Sequence, residues 1–228
     1  RAHQVMLKAV LFDMDGVLVD SMPGHAKAWV KAAHDVGLSL TEQEVYINEG
    51  RTGDGTINIL MQREYGRDAT ADEVKDIYSI KSHYYNLEPE PPVIEGAAEM
   101  LRSVQEAGLK CILVTGSGEK AQLDRLEKHF PGVFTRAAMV TAFDVHHCKP
   151  HPEPYLMGLA KAGVTADEAI VVENAPLGVQ AARAAGIYTV AVNTGPLPES
   201  ALAEAGANTI LPSEKAFPEF LNTFIHKQ

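Results

Sequence analysis

The sequence predicts an α/β fold, a mostly parallel sheet interrupted by one inserted helical domain. Three observations carry this prediction. Short, continuous apolar runs alternate with helical patterns over most of the chain. Residues 21–92 break the alternation, because they show helical spacing and no convincing buried strand. The first apolar run, KAVLFD at 8–13, ends directly in Asp13-Met14-Asp15-Gly16, which places two carboxylates at the end of a strand, where open parallel sheets bind ligands.

The elements follow in order. The run at 8–13 is apolar throughout rather than alternating, as expected of a strand buried on both faces. The runs KCILVT (110–115), AIVVE (169–173) and IYTVAV (187–192) read the same way, and 209–211 is a weaker strand. Helical patterns lie at 95–107, 119–129, 152–162, 176–185 and 213–225. Gly108, Gly163 and Gly186 each stand where a helix should stop. In the insertion, Ala28, Trp29, Ala32 and Ala33 have helical spacing within 25–36, and 41–49, 55–65 and 70–86 also read as helices. The stretch closes on Glu88-Pro89-Glu90-Pro91-Pro92, a stiff connector. Residues 1–20 and 93–228 therefore form the core domain and 21–92 the inserted domain. Entry near Asp20 and exit near Pro91 would make a two-strand hinge on which a lid can close. Residues 1–5 are left out of this reading.

The 228 residues are 46% hydrophobic and 22% charged, the composition of a soluble globular protein. A net charge of −10 argues against a nucleic-acid partner, since a phosphate backbone would be repelled by most of the surface. Binding of a small phosphate anion then needs a metal or a local cluster of cations. Cys111 and Cys148 are lone thiols without a CxxC spacing, so a reducing cytoplasm is the expected compartment. No apolar run is long enough for a membrane span and no signal-like segment opens the chain, so no membrane association is expected.

Chemistry centres on Asp13 and Asp15. Residues i and i+2 at a strand end can turn toward one point, and Gly16 lets the chain bend there. Two close carboxylates are unfavourable unless a cation lies between them or one is protonated. Either outcome is useful: one carboxylate can attack phosphorus while its neutral neighbour protonates the leaving group. A calcium loop of the EF-hand type would need its glycine in the sixth position between helices, whereas here glycine is fourth and a strand precedes. A plain surface turn is the other alternative. Thr115 ends the second apolar run in Thr115-Gly116-Ser117-Gly118, whose hydroxyls and backbone N–H groups can hold phosphate oxygens at the next helix's N-terminus. Lys149 stands between Cys148 and Pro150, and Pro150 and Pro152 would fix the backbone while the ammonium points at the site. Glu173 and Asn174 end the third run, placed to bind a metal or to pair with Lys149.

Asp13-x-Asp15, Thr115, Lys149 and Glu173-Asn174 come in the order and spacing of the four motifs of the haloacid dehalogenase superfamily. The helical insertion resembles that superfamily's C1 cap. The segments DMDGVLVDS, KPHPEPY and ENAPLGVQAARAAG are similar to its β-phosphoglucomutase-like branch. The resemblance covers nearly the whole chain and implies a Rossmann-like parallel sheet core. It also implies a magnesium-dependent phosphohydrolase that works through an aspartyl-phosphate. Asp13 would be the nucleophile and Asp15 the general acid and base, with Thr115 and Lys149 binding the transferring phosphoryl group. Mg2+ would be held by Asp13, the Asp15 carbonyl and Asn174.

The chain departs from the branch at two motif positions. Asn174 stands where the branch has Asp, which removes a negative charge from the metal site. Glu49 on the cap could restore it on closure, and Arg51 could grip a second phosphate; both could equally be surface charges at a helix end. Gly118 stands where the mutases have Lys, which argues against mutase activity. His25 matches a hinge histidine that helps to position the acid. His146, His147 and His151 lack a helical metal spacing and are read as non-ligands. A cap glutamate with Asn at the metal position resembles a group of inorganic pyrophosphatases in this branch. The expected substrate is therefore inorganic pyrophosphate, with Gly116, Ser117, Arg51 and His25 as substrate contacts and Glu173 as an orienting residue. A sugar-phosphate phosphatase or β-phosphoglucomutase is the alternative, and a binding protein that has lost its chemistry is the reading from another class. A small phosphorylated substrate is the expected partner, and a monomer the expected state.

Overall fold

The computed structural model of the chain describes residues 6–227; the excluded start at 1–5 lies outside them. Six strands form one fully parallel sheet, β1 (Ala9–Phe12), β2 (Lys110–Val114), β3 (Met139–Val140), β4 (Ala169–Glu173), β5 (Tyr188–Val192) and β6 (Thr209–Leu211). Their spatial order is β3-β2-β1-β4-β5-β6. β1 is central, in register with β2 (Leu11 opposite Ile112) and with β4 (Leu11 opposite Val171). Its neighbours run outward in opposite directions from it, so the carboxyl ends of β1, β2 and β4 open on one crevice.

Both faces of the sheet are covered, which explains the unbroken apolar runs. Val10 and Phe12 of β1 point into one core with Met100, Leu101, Val104 and Phe217. Ala9 and Leu11 point into the other, with Tyr155, Leu159, Ala181 and Ala182. The first layer comes from α5 (Ala97–Glu106), α6 (Lys120–His129) and α10 (Phe217–His226), and the second from α7 (Glu153–Ala162) and α8 (Pro176–Ala184). Phe12 is wholly buried and packs edge-on against Phe134 at 6.2 Å between ring centroids; truncating such a ring costs about 3–5 kcal/mol.

Between β1 and β2 the chain leaves the sheet to form α1 (Met22–Asp35), α2 (Glu42–Ile47), α3 (Gly53–Tyr65) and α4 (Ala71–Leu87). Thr41, Thr52 and Thr70 each cap the following helix, accepting from a backbone N–H of its first turn. Trp29, Ile57, Leu60, Met61 and Ile77 build a separate small core there. The two crossings between core and insertion run side by side. Val19 and Val93 form an antiparallel bridge, Asp20 N–H donates to the Pro92 carbonyl at 2.8 Å, and Ile94 N–H donates to the Leu18 carbonyl at 3.0 Å.

Two elements differ from the sequence reading by addition. β3 is two residues long, too short for an apolar run to show. α9 (Glu199–Ala205) is a short helix in which only Leu202 is buried, so it has almost no apolar periodicity to read. The last helix also begins later than 213, because Glu214–Ala216 forms a 3₁₀ turn before α10. Among the described residues no helix is long and apolar enough to cross a membrane.

Candidate active site

β1 ends at Phe12, yet the ladder continues one residue: Asp13 N–H donates to the Val172 carbonyl at 3.1 Å. This fixes the buried Asp13 side chain at the mouth of the crevice. The chain then turns sharply at Gly16, whose φ is +79°. A Cβ there would lie 1.9 Å from Asn174 Nδ2, so glycine is also what lets Asn174 approach the DxD turn.

Lys149 is 2% exposed and its ammonium has three acceptors: Asp13 Oδ1 at 2.9 Å, Glu173 Oε1 at 2.7 Å and the Val114 carbonyl at 3.0 Å. An ammonium has three protons, so the head group is saturated and cannot swing. Burial alone would lower its pKa, but Asp13 and Glu173 outweigh that and hold it well above the ordinary lysine range. Glu173, wholly buried, also accepts from the Tyr155 hydroxyl and from Asn174 N–H. Of the two partnerships read from the sequence, the one with Lys149 is thus formed in this arrangement.

The two motif carboxylates face different surroundings. Burial, followed by the charge of Glu173, pushes Asp13 up to about 8 despite Lys149. Burial also acts to raise Asp15, but contact with His25 and then the Ser21 hydroxyl outweigh it and leave its pKa lowered. His25 Nε2 lies 3.4 Å from Asp15 Oδ1, at the long limit of hydrogen-bond reach. Lys81 Nζ lies 2.9 Å from His25 Nδ1. A lysine ammonium can only donate, so Nδ1 accepts and the ring proton sits on Nε2, facing Asp15.

Thr115 ends β2 and is buried. Its Oγ1 accepts from Ser117 N–H at 3.1 Å, which leaves the hydroxyl proton free to donate. The Ser117 hydroxyl is engaged in the turn itself, donating to Gln122 Oε1 at 2.8 Å. Gly116 lies beneath the cap: a Cβ there would meet the Gly50 carbonyl at 3.5 Å.

The cap loop closes over these groups. Asn174 Nδ2 donates to Glu49 Oε1 at 3.0 Å and Oε2 at 3.3 Å, so Glu49 reaches the site. Burial, then the charge of Asp13, drives the Glu49 carboxyl well above its usual range. Arg51 lines the same cleft of about 780 Å³, part of it open to solvent, with Nε held by Asn48 Oδ1 at 3.0 Å.

A cation fits this arrangement on two observations. Asn174 Oδ1 is buried with no hydrogen-bond partner among the described residues, while its Nδ2 is occupied. Asp13 and Glu173 share one saturated lysine, and the raised pKa of Asp13 comes first from burial and then from the charge of Glu173, with a smaller push from Asp15. No three His, Cys, Asp or Glu side chains among the described residues are arranged to hold a metal; the available donors instead include an amide oxygen and the main chain, suited to a hard cation.

Sequence reasoning passed over Tyr155, Ser21 and Lys81. The first two lie inside the KPHPEPY and DMDGVLVDS segments. Lys81 left a signal too, standing between Ile77 and Tyr85 at four-residue spacing on the buried face of α4.

Comparison with known proteins identifies the family and the fold. The model of the haloacid dehalogenase-like hydrolase family matches residues 7–186. The chain is 32% identical over 187 residues to hexitol phosphatase A of Escherichia coli, covering 82% of this chain and 83% of that protein. It is 31% identical over 220 residues to a phosphorylated carbohydrates phosphatase of Thermotoga maritima, covering 92% and 96%. A solved structure from Bacteroides vulgatus, of a protein proposed to be a β-phosphoglucomutase, superposes with a TM-score of 0.93 at 51% identity over 99% of this chain and 91% of that one. By motif, fold and sequence, the chain belongs to the haloacid dehalogenase-like hydrolase family.

Proposed function

We propose that this protein is a magnesium-dependent phosphohydrolase that passes the phosphoryl group of a small phosphorylated sugar or polyol through Asp13. The observation that carries the reading is Lys149 bound to Asp13, Glu173 and the Val114 carbonyl at once. It fixes a carboxylate oxygen at the crevice mouth, where the neighbouring strand ends carry Thr115 and Asn174.

An Asp13 oxygen attacks phosphorus, and the bond to the leaving oxygen breaks as Asp15 gives that oxygen a proton; Asp15, ionised in the free protein, takes up this proton from a substrate that enters as its phosphate monoanion. Asp15 then takes a proton from water as the water attacks the phosphoaspartate, releasing phosphate and restoring Asp13. Ser21 and His25 keep the Asp15 carboxyl aimed for both steps. Thr115 and the backbone of its turn hold the phosphoryl oxygens, with Lys149 neutralising their charge. Asp13, the Asp15 carbonyl, Asn174 and, with the cap closed, Glu49 would hold the magnesium ion. Bound there, it supplies charge neutralisation and keeps Asp13 ionised.

The named relatives act on phosphorylated carbohydrates, and this supports the sugar-phosphate alternative over the pyrophosphate preference expected from the sequence. Inorganic pyrophosphate is kept as a second reading for one reason. Glu49 closes onto a neutral Asn174, and Arg51 and Lys81 line the cleft beyond Asp13, a wall suited to a second phosphate. Phosphate release should be measured with and without magnesium on hexitol, hexose and pentose phosphates beside pyrophosphate. Turnover of one sugar or polyol phosphate well above pyrophosphate upholds the first reading. The reverse order establishes the second, and no magnesium-dependent release from any of them overturns both.

A further inference from the structure

One run of hydrogen bonds joins the cap to the turn after β2 without passing through the DxD carboxylates. The Tyr78 phenol on α4 donates to Glu119 Oε1 at 2.9 Å. Glu119 Oε2 accepts from Gln122 Nε2 at 3.0 Å, and Gln122 Oε1 accepts from the Ser117 hydroxyl at 2.8 Å. Ser117 N–H then donates to Thr115 Oγ1 at 3.1 Å. Glu119 accepts at both of its oxygens and Ser117 donates from both its hydroxyl and its N–H, so the run is continuous through shared residues rather than through one donor sense.

Tyr78 is held firmly at its cap end. Trp29 stands edge-on at 6.4 Å between centroids and the Lys81 ammonium lies 5.8 Å from the ring centre. The ring also occupies space that only a glycine leaves, since a Cβ on Gly53 would come within 2.4 Å of it. At the core end Gln122 is buried. Tyr78 and Glu119 belong to different domains, so the bond between them is a contact of cap with core.

We infer that Tyr78 and Glu119 are positioning residues that report cap closure to the phosphate-binding turn. Docking of the phenol fixes the Glu119 carboxylate, Gln122 and Ser117 follow, and the Thr115 oxygen is filled from behind. The one proton left on Thr115 is then aimed at the phosphoryl group. With the cap open, Glu119 loses its cap partner and the turn relaxes. Phosphoryl binding is thereby tied to a closed, water-poor site. The inference rests on Thr115 being a phosphoryl-binding group, as proposed above.

The test uses Tyr78→Phe, which keeps the ring and removes only the hydroxyl, and Glu119→Gln, which keeps an acceptor for Tyr78. Hydrogen exchange of the 116–119 amides is measured in the whole protein, with kcat and KM on the best substrate of the panel. In Tyr78→Phe, exchange of these amides should rise about fivefold to tenfold, the worth of one hydrogen bond, while amides in the middle of α3 stay unchanged. The loss of kcat/KM should match and should vanish in a Thr115→Val background. Glu119→Gln keeps the acceptor for Tyr78 but turns an amide donor toward Gln122 Nε2, so its turn amides should exchange at least as fast as those of Tyr78→Phe. Unchanged exchange in the turn of Tyr78→Phe, or an equal loss of kcat/KM with and without Thr115, overturns the inference. Exchange that responds in a protein releasing no phosphate supports the coupling and refutes the phosphohydrolase reading instead.

Discussion

Asn174 of the core and Glu49 of the cap are hydrogen-bonded, with the amide donating to both carboxylate oxygens at 3.0 and 3.3 Å. The contact depends on position 174 being neutral. An aspartate there would place another carboxylate against Glu49 and Asp13, and like charges at that range favour the open cap. Asn174→Asp should lose about tenfold in kcat/KM. Adding Glu49→Gln to it should return part of the loss, because an amide can donate to the new carboxylate. Steady-state kinetics at saturating magnesium decides the point. No recovery in the double variant would mean that Glu49 does not face position 174 during turnover.

Asp13→Asn should abolish phosphate release, by about a thousandfold or more if the attacking oxygen is lost. The fold should survive the change. Lys149 keeps Glu173 and the Val114 carbonyl, and one charge leaves a cluster in which burial and neighbours already push Asp13 up to about 8. Thermal unfolding at pH 8 should give a Tm equal to or above that of the wild type. Near-native turnover in this variant would remove Asp13 from the role of nucleophile.

Gly178 is the floor beneath Glu173. A Cβ on it would lie 2.1–2.2 Å from the Glu173 carboxyl group, which has no room to retreat because the residue is wholly buried. Gly178→Ala should destabilise the protein by about 1–3 kcal/mol through overpacking. It should also lower kcat, since a displaced Glu173 unseats Lys149. Denaturant unfolding with phosphate-release kinetics checks both; a stable and fully active variant would show that the α8 turn moves aside freely.

The core strands were legible because burial on both faces forces continuous apolar runs, and the motifs were legible because Asp13, Thr115 and Asn174 sit directly after strand ends and Lys149 stands among prolines in the loop before α7. Pairwise contacts were not. Lys149 could be placed near a carboxylate from its sequence context, but its third acceptor is a main-chain carbonyl 35 positions away, which no side-chain pattern encodes. The Ser117 hydroxyl, read from sequence as a substrate contact, is spent on Gln122 inside its own turn. Glu119 and Tyr78 are 41 positions apart on different domains, and their meeting depends on the angle at which the cap closes. β3 and α9 were missed because two residues, or one buried leucine, leave no period to detect.

Glu214 makes the final prediction, far from the phosphoryl chemistry. It lies in the 3₁₀ turn before α10, is wholly buried, and neither carboxyl oxygen has a hydrogen-bond partner among the described residues. Burial, with a smaller push from Asp20, raises its pKa from 4.5 to about 8. The folded protein therefore binds this proton more tightly than the unfolded chain does. Its stabilising contribution is complete below pH 4.5 and is lost as pH rises toward 8, so stability should fall with pH across that window. At pH 7 the loss is on the order of 3 kcal/mol, taking 1.36 kcal/mol per pH unit. Glu214→Gln keeps the shape without the ionisation. Its own unpartnered amide costs something, but the same at every pH. Urea unfolding of both proteins at pH 5, 6, 7 and 8 should thus give a difference that grows steadily in favour of the variant. A difference that stays constant over the range would show that Glu214 is neither protonated nor strained in the native state.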